Sequence, residues 1–507
     1  MNFPPIEPSA ARGNSKQGVY HAGTLIYSKR TLAILFLWLL WGDFCFVLME
    51  AVVPSIMPLK FNALGASNSV IGLVMITIPG LMNTICNPII SFRSDRHRSR
   101  WGRRIPFILF TLPFLVISLV AVAFSSQAGL WLHHHFPFLL ARFSPAAVSV
   151  AIIGTALTLF SFFNTFVNSV FWYLFNDVVP ESLLARFMSY FRTVSLCAGS
   201  FYSLVIFKHA DNHSTEILAG AALVYFLGFG LMCLKVKEGN YPPPPEYVGN
   251  KGGGLAAIKT FGVECMGLPH YWLLFLAHMS VAFAYTGQIF YIFFYKSLGL
   301  DLGMIGKLGF GMSISGALVV PFSGWLADKY HPIRVVIGGV ILQLAILPIH
   351  SIWLFWHPSA TIAFTILFAM NVCLFAPVGA MISVFDPPLL MRIFPRTRYG
   401  QFCSANSMCR SVTGIVGGSL VGIYLDVLKV KFGADTAYRL LPLWQFTGYA
   451  VMLFFLVKLY HSWQNHGGDV SYVPPLPSPT GEGVVLEKSV ETAPGQEPDS
   501  AVTTLTL

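Results

Sequence analysis

The chain has 507 residues, of which 55% are hydrophobic and only 11% are charged, and its net charge is +10. Ordinary soluble domains carry roughly 25% charged residues, so this composition excludes a soluble enzyme, a disordered chain and a nucleic-acid-binding protein. It indicates a polytopic membrane protein.

Twelve stretches meet the length of about 20 predominantly apolar residues that a membrane-spanning helix needs. They are 31–56, 68–91, 105–126, 146–174, 186–207, 216–235, 270–295, 302–326, 333–355, 359–385, 400–427 and 440–461. Residues 1–30 are predicted to be a cytoplasmic N-terminal segment. Residues 462–507 are rich in Pro, Gly, Ser, Thr and Glu, a composition typical of a disordered tail.

The positive charges fall mainly in alternate loops. Six arginines follow the second predicted helix, namely Arg93, Arg96, Arg98, Arg100, Arg103 and Arg104. The intervening loops carry mostly single charges, such as Lys60 and Lys208, and only the loop before helix 12 is richer. The positive-inside rule therefore places both termini in the cytoplasm, in a plasma membrane or a bacterial inner membrane.

The stretch 236–269 contains a run of four prolines and a run of three glycines, and it divides the twelve helices six and six. We interpret 236–269 as a cytoplasmic linker between an N-terminal six-helix bundle, 31–235, and a C-terminal six-helix bundle, 270–461. Such a division invites a search for an internal repeat.

Two loop patterns recur in the two halves. After helix 2 the chain reads Ser94-Asp95-Arg96, and after helix 8 it reads Gly324-Trp-Leu-Ala-Asp328-Lys329. After helix 4, Asp177 precedes Pro180, and Phe187 follows that proline by seven residues. After helix 10, Asp386 precedes Pro395, and Phe402 follows at the same interval. Two matched loops at matched positions predict a duplicated transporter architecture.

The acidic-then-basic loop between helices 2 and 3, repeated between helices 8 and 9, resembles the signature of the major facilitator superfamily. The longer string from Asn87-Pro88 through Ser94-Asp95-Arg96 to Arg100-Trp-Gly-Arg-Arg and Pro106 is similar to the glycoside–pentoside–hexuronide:cation symporters and the sucrose-type transporters. Ser91 stands where the superfamily usually has glycine. The resemblance covers about residues 31–461 and implies an all-α membrane protein with twelve transmembrane helices in two six-helix bundles.

The same resemblance implies alternating access, in which the two bundles rock about a central site. The charged loops then act as a cytoplasmic gate, because an ion pair can form in one state and break in the other. The residues predicted to take part in gating are Asp95, Arg96, Arg100, Arg103, Arg104, Asp177, Asp328, Lys329 and Asp386. In the alternative interpretation these arginines only set the topology.

Helix 1 carries two carboxylates, Asp43 and Glu50, whose seven-residue spacing places them on one face. An ionisable group at bilayer depth costs at least about 2.5 kcal/mol and usually serves a function. Either residue is a candidate for proton coupling, and the resemblance to melibiose-type carriers assigns Asp43 to the sugar as well. The alternative is a structural ion pair with Arg192 or Arg410.

The resemblance also implies a sugar-contacting arginine in helix 5, and Arg192 is our candidate. Cation-coupled relatives carry carboxylates on helix 2 and helix 4, where this chain has Asn83, Asn87 and Asn168. Because hard-cation sites favour carboxylates, we expect proton rather than sodium coupling, with uncoupled transport as the alternative. Asn164 and Asn168 share a helix face and are candidates for cargo contact, or alternatively for hydrogen bonds between helices.

Helix 7 carries polar and aromatic side chains at near-helical spacing. Tyr285 and Gln288 are the candidates for sugar contact in this stripe, and Trp172 of helix 4 is a candidate aromatic partner. Tyr291 and Tyr295 fit the stripe, but they also fit an interfacial aromatic belt. His278 in the same helix can carry protons or be a buried structural histidine.

The eight cysteines lie mostly inside the predicted helices with no paired spacing, so they predict neither disulfides nor a zinc site. The chain lacks a Walker A loop and a nucleophile elbow. We therefore expect no enzyme activity, no cofactor, no metal site and no nucleic-acid partner. The expected partners are the bilayer, a solute and a proton, and the expected state is a monomer.

These observations predict a secondary active transporter that moves a sugar or glycoside, with a proton as the expected coupling ion. One alternative keeps the fold and changes the cargo to a lipid-like or amphipathic solute, which the 44 phenylalanines would suit. A second alternative is a membrane sensor that signals through its tail and transports nothing.

Overall fold

The computed structural model describes residues 19–136, 138, 142–180, 183–241, 265–395, 398–477 and 484–486. Within these residues it contains twelve helices that are long and apolar enough to cross a membrane. The predicted all-α class and helix count are confirmed. We number these helices α1 to α12.

The first six helices are bounded as follows: α1 Lys29–Ala63, α2 Asn68–Gly72 continuing to Ile78–Arg96, α3 Ile105–Ala123, α4 Pro145–Val178, α5 Leu184–Phe201, and α6 Ser214–Lys235. A π-helical turn, Leu73–Thr77, joins the two parts of α2, and another, Tyr202–Ile206, extends α5. A shorter helix, Ser125–His135, follows α3. Two antiparallel strands, β1 Val19–Ala22 and β2 Leu25–Ser28, precede α1.

The last six helices are bounded as follows: α7 Pro269–Thr286 continuing to Tyr291–Ser297, α8 Leu302–Lys329, α9 Pro332–Ile346, α10 Ala360–Met370 continuing to Ala376–Ile393, α11 Tyr399–Phe432, and α12 Ala434–Arg439 continuing to Leu441–Asn465. A 3₁₀ turn, Gly287–Phe290, interrupts α7, and a π-helical turn, Asn371–Phe375, interrupts α10. A four-residue helix, Gly468–Ser471, and strands β3 Pro475–Pro477 and β4 Val484–Leu486 follow α12.

Local sequence explains where several helices begin. The hydroxyls of Ser28 and Ser144 accept hydrogen bonds from the first-turn amides of α1 and α4, and the Asp301 carboxylate does the same for α8. Ser and Asp are favoured at this position because they satisfy amides that the helix leaves unpaired. Pro145 directly follows its cap, where its fixed φ suits the first helical residue.

The described residues form two compact units, and the division falls within the undescribed stretch 242–264. In unit 1, residues 19–241, α3 packs on α4 and α6, and α1 packs on α5 and α6. In unit 2, residues 265–486, α7 packs on α11 and α12, and α10 packs on α8 and α9. We call the end of each unit where α2 meets α3, or α8 meets α9, its basic end.

Both units expose large apolar side chains around their helices, as a lipid-facing surface requires. Leu37, Phe110 and Leu318 are 68%, 70% and 74% exposed. Soluble proteins avoid extended patches of this kind. The exposed side chains therefore agree with a multi-pass integral membrane protein.

The segments predicted to be a linker and a disordered tail are partly folded. Val236 is buried, and Glu238 contacts the start of α3. After α12, the Tyr472 hydroxyl donates to the carbonyl of Ile393 at 2.9 Å, and the Tyr271 hydroxyl donates to the carbonyl of Pro475 at 2.8 Å. The chain from 466 to 475 therefore packs on the basic end of unit 2, which differs from the predicted disorder.

Candidate functional site

The two carboxylates of α1 reach different helices. Asp43 is 0% exposed, and its Oδ2 accepts a hydrogen bond from the Ser195 hydroxyl of α5 at 2.8 Å. Its other oxygen, Oδ1, is buried and has no hydrogen-bond partner among the described residues. Glu50 is exposed, and its Oε1 accepts from the Asn164 side-chain amide of α4 at 2.8 Å. One face of α1 thus carries one enclosed and one accessible carboxyl group.

Arg192 lies on α5, one helical turn before Ser195, and its side chain is exposed. Its positive charge acts favourably on Asp43. Because Asp43 is enclosed while Arg192 is not, a solute in this conformation can reach the guanidinium but not the carboxyl group. The predicted pairing of both residues on one sugar is therefore absent from this arrangement of unit 1.

Trp172 of α4 is also exposed on the surface of unit 1, with 42% of its surface accessible. Its ring packs on Phe191 of α5 with the centroids 5.1 Å apart, and on Phe175 at 5.9 Å. Phe191 directly precedes Arg192 in α5. The exposed indole and guanidinium are thereby held by neighbouring residues of a packed aromatic cluster.

The asparagines of α2 and α4 take separate roles. Asn87 accepts a hydrogen bond from the Ser169 hydroxyl at 2.7 Å, which joins α2 to α4. Asn164 contacts Glu50 as described, Asn168 is half-buried, and Asn83 is exposed. Within the described part of the chain, no group of three or more His, Cys, Asp and Glu side chains is placed to hold a metal ion.

The polar stripe of α7 divides into two parts. Tyr285 is 47% exposed and Gln288 is exposed, so neither side chain is enclosed within unit 2. Tyr291 instead donates its hydroxyl to the Gln445 side chain of α12 at 2.7 Å, and its ring lies 6.0 Å from that of Tyr295. Tyr291 and Tyr295 therefore belong to the packing of unit 2.

The basic end of unit 1 contains an ion-pair network centred on Asp177. Arg103 and Arg104, directly before α3, both pair with this carboxylate at the end of α4, and their Nε atoms donate to its Oδ2 at 2.8 and 3.0 Å. Arg104 also donates to the Ser94 hydroxyl of α2 at 2.6 Å. The network joins α2, α3 and α4 within unit 1.

Glu238 extends this network and was missed by the sequence analysis. Its carboxylate accepts from the backbone amides of Arg103, Arg104 and Ile105 at 2.9, 2.8 and 2.7 Å. Gly102 has φ +102°, and a Cβ there would lie 2.4 Å from the Glu238 Cδ. The signal in the sequence was a single acidic residue among the lysines that follow α6.

Aromatic rings complete the basic end of unit 1. The Arg103 guanidinium lies 4.2 Å from the ring centroid of Tyr241, and the Arg104 guanidinium lies 5.0 Å from that of Tyr173. The Tyr241 hydroxyl donates to Glu238 at 3.0 Å. Burial, with the nearby Glu238 carboxylate, raises the pKa of Tyr241 well above its usual value. Tyr241 therefore remains neutral and ties the chain after α6 to this network.

The remaining gating candidates are not among the described residues that pair with Asp177. Arg100 is exposed beside the network, and Lys329 lies 5.5 Å from the ring of the adjacent Tyr330. The side chains of Asp95, Arg96 and Asp328 lie outside those that the structure describes. At this end of unit 2, Arg334 pairs with Asp469 of the segment after α12 at 2.5 Å.

Asp386 is not the structural counterpart of Asp177. Asp177 precedes Pro180 by three residues, whereas Asp386 precedes Pro395 by nine, so the equivalent position in unit 2 is Arg392. Asp386 lies seven residues inside the end of α10, where its Oδ1 is 2.8 Å from Nε2 of His278 of α7. Its partner is a buried side chain within the bundle and not a loop.

This architecture is shared with known membrane transporters. The family model of the Major Facilitator Superfamily matches residues 39–418. No curated protein matches the chain in sequence. Solved structures of similar fold include a bacterial homologue of the human lysosomal transporter Spinster, with TM-score 0.61 and 14% identity over 87% of this chain and 99% of that one.

Two further structures show the same fold. The nucleoside transporter NupG has TM-score 0.58 and 14% identity over 84% of this chain and 99% of that one. A bacterial homologue of the iron transporter ferroportin has TM-score 0.61 and 14% identity over the same shares. Identities this low establish the fold alone, but the family match spans most of the chain. The protein therefore belongs to the major facilitator superfamily, whose fold is that of a secondary transporter.

Proposed function

We propose that the cargo of this transporter is a sugar or another glycoside and that its movement is coupled to protons. The coupling part of the proposal depends on Asp43. The cargo part depends on the accessible polar and aromatic groups of α1, α4 and α5 in unit 1 and, considered separately, on those of α7 in unit 2. Alternating access, as the superfamily resemblance implies, would link the two.

Asp43 is the observation that carries the proposal. An ionised carboxylate taken out of water costs several kcal/mol unless its oxygens are paired, and Oδ1 of Asp43 has no partner among the described residues. The neutral acid avoids most of this cost, because a neutral polar group is buried more cheaply than a charge. The enclosed arrangement therefore favours a protonated Asp43, and any state that opens α1 to water favours release of the proton.

The accessible groups suit a saccharide. The Glu50 carboxylate and the Arg192 guanidinium can each bind sugar hydroxyls, since they supply acceptors and donors in fixed directions. Asn164, whose Oδ1 is buried and whose side-chain nitrogen donates to Glu50, holds that carboxylate in place. Trp172 and Tyr285 offer exposed flat aromatic faces. Glu50 replaces Asp43 as the carboxylate that would contact cargo, because Asp43 is enclosed. The resemblance of the α2–α3 loop to glycoside carriers favours the same class.

Sodium coupling has less support than proton coupling. Sodium is a hard cation and binds through several oxygens, preferably carboxylates. Asn87, at a position where cation-coupled relatives carry a carboxylate, is instead joined to Ser169. A proton needs one titratable group, which Asp43 provides.

The test is uptake into proteoliposomes that contain the purified full-length protein. Labelled disaccharides and nucleosides, which are also glycosides, are offered with an inward proton gradient, an inward sodium gradient or none. We expect the proton gradient alone to drive accumulation, and Asp43→Asn to abolish accumulation while leaving exchange of cargo without a gradient. Glu50→Gln should instead raise the KM for cargo by about tenfold, since a charged hydrogen bond is worth about 1.5–3 kcal/mol.

The matched control is Glu216→Gln, which neutralises a carboxylate that is 70% exposed. It should transport as the wild type does. Accumulation that survives in Asp43→Asn would overturn the coupling proposal. Failure of every glycoside under both gradients, with uptake of an amphipathic solute, would overturn the cargo proposal in favour of the alternative cargo.

A further inference from the structure

A histidine and a carboxylate form a buried pair in unit 2 that the proposed coupling through Asp43 does not use. His278 of α7 is 2% exposed, and its Nε2 lies 2.8 Å from Oδ1 of Asp386 on α10. Its other ring nitrogen, Nδ1, lies 2.8 Å from the side-chain Oδ1 of Asn406 on α11. Three helices of the bundle thus meet at one imidazole ring.

The two contacts of the ring fix how many protons the pair holds. In this orientation of the Asn406 amide, its oxygen faces Nδ1 and only accepts, so Nδ1 carries a hydrogen and donates it. A neutral imidazole then has a lone pair on Nε2, which cannot form a hydrogen bond with an ionised carboxylate. The 2.8 Å contact therefore requires one additional proton between Nε2 and Asp386, carried by either partner.

The charged and titratable surroundings agree with a site that gains and loses this proton. Arg410 of α11 lies 3.8 Å from Oδ2 of Asp386 and offsets the negative charge that deprotonation leaves. Tyr399 of α11 interacts with this carboxylate and with Cys403 of the same helix, and Tyr449 of α12 interacts with Tyr285 of α7. The Asp386 side chain is 31% exposed, which gives the proton a way in, whereas His278 is enclosed.

We propose that His278 and Asp386 form a proton-binding site in unit 2, oriented by Asn406, in which a single proton joins α7 to α10. Binding the proton forms the hydrogen bond between the two helices. Its loss leaves a lone pair facing a carboxylate, so the helices lose that bond and repel one another at this point. The site is separate from Asp43, and it does not depend on the cargo being a glycoside.

The test uses the full-length protein in detergent micelles with ¹⁵N-labelled histidine, and it reads the protonation of each ring nitrogen by nuclear magnetic resonance. The chain has 14 histidines, so His278→Gln identifies the signals of His278. If that variant does not fold, the signals that change in Asp386→Asn identify them instead. Spectra are recorded from about pH 5 to about pH 9, the range in which histidines titrate.

We expect Nδ1 of His278 to carry a hydrogen throughout, and its Nε2 signal to shift with pH in the wild type. In Asp386→Asn the amide can donate to Nε2 without an extra proton, so the shift with pH should disappear. Asn406→Leu removes the acceptor that fixes the ring, so a neutral imidazole can donate from Nε2 to Asp386, and the hydrogen should move from Nδ1 to Nε2.

Two results would overturn the proposal. A wild-type His278 that is neutral with its hydrogen on Nε2 would show that Asp386 accepts from an ordinary imidazole and that no additional proton is bound. A wild-type signal that does not change across the pH range would show that the pair exchanges no proton. Both readings are independent of uptake, so they stand whether or not the transport proposal fails.

Discussion

Glu238 caps the first turn of α3 by accepting a hydrogen bond from the backbone amide of Ile105 at 2.7 Å, although the two residues lie 133 positions apart. The first amides of a helix have no partner within the helix. A carboxylate at this place satisfies them and also interacts favourably with the positive end of the helix dipole. The chain after α6 is thereby fixed to the basic end of unit 1.

We expect Glu238→Ala to destabilise the protein by about 1–2 kcal/mol, because several helix-start amides lose their acceptor. Glu238→Gln should cost less, since the amide oxygen can still accept a hydrogen bond. The measurement is the thermal unfolding midpoint in detergent. Glu216→Ala, which removes the exposed carboxylate in the first turn of α6, is the matched control and should change the midpoint little.

The ion pairs of Asp177 give a prediction that separates gating from topology. Asp177 and Arg104 are only 7% and 5% exposed at their side chains, so Asp177→Asn leaves two arginines without their carboxylate. If the network is a gate, the maximal transport rate should fall by about tenfold, equivalent to about 1.4 kcal/mol, with little change in the KM for cargo. The measurement is uptake into proteoliposomes over a range of cargo concentrations.

Asp177→Glu is the control for this prediction, because it keeps the charge at a slightly greater reach. It should retain most of the transport rate. If Asp177→Asn inserts normally and transports at the wild-type rate, the arginines serve only to orient the helices, and the gating role of this network is wrong.

The buried position of Lys60 could not be predicted from the sequence. The apolar run was expected to end at residue 56, with Lys60 in a loop, but α1 continues to Ala63 and Lys60 is 8% exposed. Its Nζ donates to the carbonyls of Val122 and Ala123, at 2.9 and 2.7 Å, at the end of α3. Composition cannot indicate such a contact, because it depends on how two helix ends meet in space.

The other predictions also differ according to whether they depend on composition or on contacts in space. The number of helices and the six-and-six division could be predicted from apolar length, loop composition and repeated motifs. Arg103, Arg104 and Asp177 were each candidates for gating, but their pairing with one another was not predicted, because the loops that carry them are far apart in the sequence. The partner of Asp386 could not, because two aspartates near matched prolines look equivalent until their distances to those prolines are compared. The folded segment after α12 was missed because Trp463 and Tyr472 are only two aromatic residues in a polar stretch.

We expect Lys60→Met to destabilise unit 1 by about 1–3 kcal/mol. Methionine keeps most of the volume of the side chain but takes the Lys60 donor from the buried carbonyl of Ala123, whereas the carbonyl of Val122 still accepts from the Ser125 hydroxyl at 2.8 Å. The change also removes a positive charge from the negative end of that helix. The thermal unfolding midpoint measures the effect. Lys208→Met, at an exposed position, should change the free energy of unfolding by less than about 0.5 kcal/mol. An equal loss of stability in both variants would contradict the assigned contact.

His331, directly before α9, predicts a pH dependence of stability. Its ring packs on that of Trp463 with the centroids 4.4 Å apart, and its Nδ1 accepts from the backbone amide of Ile333 at 3.3 Å. Burial lowers the pKa of His331 from its usual 6.5 to about 4, with further lowering by the charges of Arg392 and Arg334 against the opposing effect of Asp469. The folded protein therefore holds this histidine neutral.

The direction in which stability changes with pH depends on whether the folded or the unfolded protein binds the proton more readily. Between about pH 6.5 and about pH 4 the unfolded chain protonates His331 while the folded protein does not, so acid favours unfolding. The stabilising contribution is complete above about pH 6.5 and is lost as the pH falls toward 4. We expect the wild-type unfolding midpoint to fall across this range.

His331→Asn should make that fall shallower, because asparagine cannot take up the proton yet can still accept a hydrogen bond at the start of α9. The measurement is the unfolding midpoint at intervals from about pH 8 to about pH 4, with His357→Asn, at an exposed histidine, as the control that keeps the wild-type slope. A His331→Asn slope equal to that of the wild type would mean that other groups cause the acid sensitivity. Since Trp463 and Asp469 both belong to the end of α12 and the segment after it, a shallower slope would also show that this segment stays packed on α9 in the intact protein.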